Sequence, residues 1–145
     1  ADWMPTRERL WELGDKYRIE PKEMVCVDIG NPHLVIFSKF ADKDKKIFGK
    51  NLQKNELFSN GVNVNFAQIE DNTIILKVWE RGTGFTMACG SGASASFAAA
   101  NKLGFVDDEA KVAFELGTLK MCKKNNQILM TGSASYVFAG EYYYG

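Results

Sequence analysis

The chain has 145 residues, with 18 Lys and Arg balanced by 18 Asp and Glu. This length fits one domain with its own core, and the balanced charge argues against a nucleic-acid or anionic-membrane partner. The three cysteines, an odd number, favour a reducing, cytoplasmic compartment over a disulfide framework, and no apolar run approaches the ~18 residues of a membrane span.

The first third of the chain predicts one helix and two strands. Leu10 and Leu13 are spaced for an amphipathic helix over residues 6–17, within an N-terminal linker and helix region, residues 1–21. Residues 24–29 and 34–37 are typical of strands. The sequence Gly-Asn-Pro-His at 30–33 predicts a turn between them, with Asn31 and His33 at strand ends. The charged segment 41–50 is interpreted as a surface helix or loop without a function.

The rest of the chain predicts strands around one apolar helix. Residues 62–69 alternate apolar and polar side chains and, with residues 73–79, predict a hairpin across Asp71-Asn72. Residues 90–100 are Gly, Ser and Ala apart from Phe97 and carry no charge, so the helix predicted over residues 93–103 should be buried on all sides and end at a left-handed Gly104. The segments 111–116, 118–123, 127–131 and 133–144 predict an antiparallel meander.

A thiol lies where strand gives way to this helix. The sequence Glu80-Arg81-Gly82 leads into Ala88-Cys89-Gly90-Ser91-Gly92. Unpartnered N–H groups and the helix dipole stabilise a thiolate at a helix N-terminus, and the glycines leave room there for a carboxylate or phosphate. Cys89 is therefore a candidate base or nucleophile, beside an anion site formed by Gly90 and Ser91.

The other candidate residues have simpler interpretations. Cys26 and Cys122 lie in apolar or alternating strand segments, where a free cysteine usually acts as a small buried filler. His33 is the only histidine in the sequence, and a single histidine at a strand end is more often a hydrogen-bonded structural residue than a catalytic one. The pair Glu80 and Arg81 could be an ordinary solvated ion pair. No metal-ligand spacing occurs among the cysteines and His33, so no metal site is predicted.

A dinucleotide-binding module is the rival interpretation. Residues 90–95, Gly-Ser-Gly-Ala-Ser-Ala, also satisfy the G-x-G-x-x-A pattern, and a strand-like run containing Glu115 follows the helix. That fold needs further parallel strands with crossover helices, whereas the sequence after residue 110 predicts hairpins alone. A cysteine directly before the first glycine has no role in that pattern.

Taken in order, these motifs resemble the C-terminal half of the diaminopimelate epimerase family. The resemblance is carried by Gly-Asn-Pro-His at 30–33, Val-Asn-Val at 62–64, Glu-Arg-Gly at 80–82, Ala-Cys-Gly-Ser-Gly-Ala at 88–93 and the last strands from residue 130 to residue 141. It implies an α+β domain over residues 1–145, in which an antiparallel or mixed barrel-like sheet wraps around the central Ala/Gly/Ser-rich helix.

The resemblance also implies a reaction and a set of site residues. The family interconverts LL- and meso-2,6-diaminopimelate in lysine biosynthesis without a cofactor, using two cysteines as acid and base. By this resemblance Cys89 is the C-terminal cysteine, and His33 and Glu80 adjust the thiol pKa values. The residues that would bind substrate are Asn31, Asn63, Glu80, Arg81, Gly90 and Ser91.

The family's N-terminal half and its own cysteine motif are not present in this sequence. The resemblance therefore implies that the chain needs that half as a partner, that it cannot turn over substrate alone, and that its uncovered face could promote a homodimer. Three alternatives stay open: a related racemase or isomerase with another substrate, such as proline racemase or a phenazine-pathway isomerase, a non-catalytic binding domain, and the dinucleotide module.

Overall fold

One mixed sheet carries most of the secondary structure in the computed structural model. The structure describes residues 3–20, 23–52, 55–80, 84–86, 90–115, 117–125, 127–131 and 135–139, with backbone alone for residues 42, 80, 84–86 and 135–139. Its elements are α1 (Arg7–Lys16), β1 (Met24–Asp28), β2 (Pro32–Ile36), α2 (Asp42–Leu52), a short 3-10 turn (Glu56–Phe58), β3 (Asn63–Glu70), β4 (Thr73–Glu80), β5 (Gly84–Thr86), α3 (Gly90–Lys102), β6 (Glu109–Phe114), β7 (Gly117–Lys124), β8 (Gln127–Thr131) and β9 (Ser135–Ala139).

The nine described strands form a single sheet. Its order is β1-β2-β3-β4-β6-β7-β8-β9, and the short β5 pairs with β4 off this path. The neighbours β2 and β3 run parallel, as do β4 and β6, while the other pairs are antiparallel. Parallel neighbours need a crossover connection, and α2 and α3 lie in the two crossovers. The mixed sheet around a helix confirms the predicted fold class.

The helix α3 lies inside the curve of this sheet. It contacts β1 to β4 near one end of the sheet and β6 to β8 towards the other. Every residue from Gly92 to Ala100 is buried, which confirms the expectation that this helix has no solvent-facing side. The helix begins at Gly90, three residues before the predicted start, and Gly104 beyond its end has φ +80°, as a left-handed cap requires.

A second core covers the opposite face of β1 to β4. Leu10 and Leu13 of α1 and Phe48 and Leu52 of α2 pack there with strand residues that include Trp79. The charged segment 41–50 is thus a surface helix on one side only, because Phe48 is 2% exposed. This second layer packs against β2 and β3 on the face opposite α3.

The local pairings agree with the predictions, with shifted boundaries. The hairpin β3–β4 forms across Asp71-Asn72, and β6 to β9 form the predicted antiparallel meander. The last predicted strand is described only over Ser135–Ala139. The predicted turn 30–33 is wrong in its second half, because Pro32 and His33 are already paired with β1. The reversal is instead made at Gly30, which has φ +105° and donates its N–H to Asp28 Oδ1.

The dinucleotide alternative does not fit this architecture. A parallel β4-α3-β6 connection exists, yet every described strand after β6 is antiparallel to its neighbour. The glycine-rich helix is also enclosed by the sheet that follows it, whereas the dinucleotide fold stacks helices on an open parallel sheet. Among the described helices, none has the length and apolar character that crossing a membrane requires.

Candidate active site at the first turn of α3

Polar side chains line the inner end of β2 and β3 where the sheet faces α3. Side chains alternate along a strand, and Val35 and Ala67 lie in the core cluster that contains α3. His33 shares the face of Val35, and Asn63 and Asn65 share the face of Ala67. His33 and Asn65 are 0% exposed and Asn63 is 5% exposed. The alternation of residues 62–69 places the two asparagines on one face of β3, and in the structure this face is buried.

The register of β2 and β3 places these residues side by side. His33 is the Cα partner of Asn63, and Val35 is the partner of Asn65. The Asn65 Nδ2 atom lies 2.9 Å from His33 Nδ1. The Asn63 Nδ2 atom donates to the Pro32 carbonyl oxygen at 3.1 Å, which ties the ends of the two strands together.

A hydrogen-bond chain connects this polar group to the start of α3. His33 Nε2 lies 3.2 Å from Asn31 Oδ1. Asn31 in turn donates from Nδ2 to the Ser91 hydroxyl at 3.4 Å, across 60 positions of sequence. Asn31 is half-buried, so its amide lies between the buried histidine and the accessible end of the helix.

The first turn of α3 has the features of an anion-binding site. Gly90 is the first residue of the helix and Ser91 the second, and both are only half-buried. Backbone N–H groups in a first turn lack partners within the helix, and the dipole adds partial positive charge. Cys89 is the residue directly before Gly90 in the chain. A carboxylate bound at this end would meet the N–H groups, Ser91 and Asn31 together.

The structure brings five predicted site residues to this position, namely Asn31, His33, Asn63, Gly90 and Ser91. Glu80 is the last residue of β4, where its backbone pairs with Gly84 of β5, and its side chain is outside the described part. Arg81 and Cys89 lie outside the described residues altogether. Sequence reasoning missed Asn65. The signal was present, since Asn63 and Asn65 must share a strand face, and a helix covering one would bury both.

The remaining cysteines are not equivalent. Cys26 is fully buried, as predicted, and burial raises the pKa of its thiol to about 12. Cys122 is only half-buried, so the prediction of a buried filler is wrong for it: its strand position points away from α3. Neither lies in the polar group at the helix start. Within the described ranges, no group of three His, Cys, Asp or Glu residues could hold a metal.

An open groove lies away from these polar residues. It has a volume of about 700 Å³ and runs over β6 to β8, lined by Lys111, Lys120 and Cys122 among others. Its lysines and acidic residues are exposed, and none is part of the hydrogen-bond chain. We place the candidate site at the start of α3, because the polar side chains there are buried and joined by hydrogen bonds, whereas the charged side chains of the groove are exposed.

Comparisons with known proteins identify the family of the chain. The family model described as diaminopimelate epimerase matches residues 25–137. A diaminopimelate epimerase of Rickettsia akari is 59% identical over 142 residues, and that of Rickettsia prowazekii is 57% identical. Each alignment covers 98% of this chain and 53% of the relative. The chain therefore spans about half the length of the curated relatives it matches.

Solved structures share the fold at low sequence identity. A PhzF-family phenazine biosynthesis protein of Enterococcus faecalis superposes with a TM-score of 0.60 at 17% identity, over 74% of this chain and 43% of that one. A PhzF-family protein of Bacillus anthracis gives a TM-score of 0.57 at 13% identity, over 75% of this chain and 39% of that one. These similarities show a common architecture.

Proposed function

Because the chain belongs to the diaminopimelate epimerase family, we propose that it is the C-terminal half of such an enzyme and supplies one of its two proton-transferring cysteines. The observation that carries the proposal is the bond from Asn31 to Ser91, which joins the buried polar group of β2 and β3 to the helix end that directly follows Cys89. Acid-base, anion-binding and orienting groups would then converge at one point.

The proposed reaction moves a proton at the α-carbon of 2,6-diaminopimelate. The Cys89 thiolate removes the α-hydrogen as a proton, and the electron pair of the broken C–H bond stays on the α-carbon, delocalised into the carboxylate. The thiol of the N-terminal half then donates a proton to the opposite face of that carbon. In the reverse direction the two sulfur atoms exchange roles. Configuration is inverted with no net oxidation.

The start of α3 would stabilise the negative charge that develops on the carbanion. An α-proton is far too weakly acidic for a thiolate unless the developing negative charge is stabilised. The N–H groups at Gly90 and Ser91 and the helix dipole would face the α-carboxylate, where that charge accumulates. The same partial positive charge would lower the pKa of the Cys89 thiol. Binding and activation would thus come from one structural feature.

The other site residues have proposed roles in binding and in adjusting the thiols. Asn31 and Asn63 would hold the substrate from the sheet side, and Glu80 with Arg81 from the end of β4. A carboxylate and a guanidinium can bind an ammonium and a carboxylate, the two kinds of charged group that diaminopimelate carries. His33 and Glu80 would adjust the pKa values of the two thiols.

The proposed site is incomplete within this chain. Cys26 is buried with a raised pKa and Cys122 lies on another face, so neither can supply the second acid or base. We therefore propose that the partner is an N-terminal half carrying the second cysteine, and that the 145-residue chain alone does not turn over substrate. Reduced cysteines are essential to this chemistry, which suits a reducing cytoplasm.

The test is conversion of LL- to meso-diaminopimelate by the chain mixed with a separately produced N-terminal half of a diaminopimelate epimerase. Cys89→Ser should lower the rate by about 10²- to 10⁴-fold, because it removes a positioned acid or base. The matched control is Cys122→Ser, which makes the same atomic change away from the site and should retain the rate. Equal rates for the two variants would contradict the proposal.

A further inference from the structure

The buried amide of Asn65 is oriented by its surroundings. Its Nδ2 atom lies 2.9 Å from His33 Nδ1, 3.4 Å from the Leu34 carbonyl oxygen and 3.5 Å from the Asn63 carbonyl oxygen. Two of these three neighbours are acceptors only. If the amide were flipped, Oδ1 would face both carbonyl oxygens without a proton between them. The NH₂ group therefore points at His33.

This orientation determines where His33 carries its proton. An NH₂ group can only donate, so His33 Nδ1 must accept, and the ring proton of a neutral imidazole is then on Nε2. With its proton on Nε2, the ring can also donate a hydrogen bond to Asn31 Oδ1, which lies 3.2 Å from Nε2. The Asn65 contact selects this tautomer. The Asn31 contact is compatible with it but does not select it alone, because the Ser91 hydroxyl on the other side of Asn31 can either donate or accept.

The direction of donation then continues to the start of α3. Since Asn31 Oδ1 accepts from His33, the Asn31 NH₂ group faces away from the ring and donates to Ser91 Oγ at 3.4 Å. With the other tautomer, Nε2 would be an acceptor, and the Asn31 amide would have to rotate so that its oxygen faced the helix. An oxygen there would repel a carboxylate bound at the same helix end.

We propose that Asn65 is a positioning residue that holds His33 in the tautomer protonated on Nε2 and thereby presents the amide N–H of Asn31 at the first turn of α3. The hydrogen-bond contacts of Asn65 among the described residues are with His33, Leu34 and Asn63, so we infer that it acts on the helix start through His33 and Asn31. The part of this inference that concerns substrate rests on the proposed function, whereas the tautomer does not.

The burial of Asn65 supports a role other than stability. Its Oδ1 atom is fully buried and has no hydrogen-bond partner among the described residues. A buried acceptor without a partner lowers the stability of the fold, because the loss of its hydration is not offset by a hydrogen bond. An apolar residue at this strand position would avoid that cost but would leave His33 Nδ1 without its donor. The sequence keeps the polar residue where packing alone favours an apolar one.

The tautomer can be measured directly, because His33 is the only histidine in the chain. Two-dimensional NMR of the ¹⁵N-labelled 145-residue chain near neutral pH reports which ring nitrogen carries the proton. The proposal predicts a protonated Nε2 and an unprotonated Nδ1 in the wild-type chain. A protonated Nδ1 would overturn it, and this measurement requires no variant.

Asn65→Asp reverses the donor, because a carboxylate accepts only. The proton should then appear on His33 Nδ1, either as the other tautomer or as the imidazolium. The matched control is Gln68→Glu, the same amide-to-acid change on the same strand at a partly exposed position, and it should leave the His33 signals unchanged. An unchanged His33 spectrum in folded Asn65→Asp would overturn the proposal.

A second variant serves if the buried acid prevents folding. Asn65→Leu has a similar volume and removes the donor, so both neutral tautomers should become populated. Retention of Nε2–H alone in this variant would refute the role of Asn65. The catalytic consequence is read from α-proton exchange in the chain mixed with the N-terminal half, where Asn65→Asp should reduce the rate by roughly ten- to a hundredfold through misorientation.

The outcomes separate this inference from the proposed function. A wild-type mixture that exchanges no α-proton, together with the expected tautomers, would remove the epimerase proposal and leave the Asn65–His33 assignment standing. Normal exchange by an Asn65→Asp mixture whose His33 tautomer is reversed would overturn the link from Asn65 through Asn31 to the reaction. Gln68→Glu should exchange at the wild-type rate in the same mixture.

Discussion

At the scale of single residues, the cysteines differ because their surroundings differ. Cys26 lies in the core between β1, α1 and α2, whereas Cys122 is half-buried on the outer side of β7. Only the thiolate reacts readily with alkylating reagents, and burial in apolar surroundings disfavours it. The same residue type therefore has different chemistry at each position.

Alkylation of the native chain should follow this order. We expect iodoacetamide to modify Cys122 readily and Cys26 only after unfolding, because Cys26 is fully buried and its thiol pKa is raised to about 12. Peptide mass mapping after timed labelling measures the rate at each site, and a denatured sample provides the control. Modification of native Cys26 at the rate of Cys122 would contradict the described packing.

The raised pKa of Cys26 also links stability to pH. In the unfolded chain the thiol ionises near its ordinary pKa of 9.0, while the folded chain keeps its proton up to about 12. The unfolded state binds fewer protons in this range, so the contribution to stability is complete below 9.0 and is lost as the pH rises towards 12. Urea unfolding of wild type and Cys26→Ala should show a shallower alkaline decline in the variant. Parallel declines would contradict this.

Single residues of the candidate site differ in how well the sequence predicts them. The motif around Asn31 and His33 could be read from the sequence, because it lies on consecutive positions beside a turn. Asn65 could not be interpreted in the same way, since its partner His33 lies 32 positions away and pairs with it through a parallel register. An alternating strand does not reveal which of its faces a distant helix will cover.

At the scale of elements, α2 depends on a close contact that only glycine permits. A Cβ atom on Gly49 would lie 2.6 Å from Cγ and 2.7 Å from Cδ2 of Trp79. The indole ring is rigid and 8% exposed, so it has little room to move. This contact sets how near α2 comes to β4.

Gly49→Ala should therefore destabilise the chain although alanine is the better helix former. We expect a loss of about 1–3 kcal/mol in the free energy of unfolding, from overpacking against Trp79. The control is Gly117→Ala, where a Cβ atom meets nothing within 4 Å. Chemical denaturation of both variants measures the difference. A Gly49→Ala chain as stable as the control would show that α2 does not pack as described.

Two buried serines of α3 predict a substitution that stabilises the chain. The hydroxyls of Ser94 and Ser96 are buried without a partner among the described residues. Ser96→Ala should raise the free energy of unfolding by about 1 kcal/mol, because it removes an unsatisfied group and improves helix propensity. The reverse change, Ala99→Ser, should lower it. Thermal and urea unfolding measure both changes in the free energy of unfolding. A Ser96→Ala chain that is less stable than wild type would contradict the prediction and indicate a hydrogen bond to that hydroxyl.

The elements differ in how far their sequence determined them. The sequence of α3 is small and uncharged over its buried length, and the meander β6–β9 is marked by Gly117 and Asn125, so both were predictable from local signals. The parallel pairs β2–β3 and β4–β6 were not, since each joins strands separated by a helix. The buried side of α2 was also missed, because its lysines and aspartates dominate the local pattern.

At the scale of the whole molecule, the two cores position one site. The layer of α1 and α2 supports β1 to β4 from outside, and α3 closes the inner face. The polar group formed by Asn31, His33, Asn63 and Asn65 lies at the end of this layered region, at the helix start. Packing on both sides restricts the relative movement of these groups, which the proposed proton transfer would need.

We propose that this chain provides half of a two-base site. Deuterium uptake from D₂O at the α-carbons of LL-diaminopimelate, followed by NMR, tests this proposal for the chain alone and for the chain mixed with an N-terminal half. We predict uptake in the mixture, its loss with Cys89→Ser, and none with either half alone. Uptake at full rate by the 145-residue chain alone would contradict the requirement for a second cysteine from a separate half.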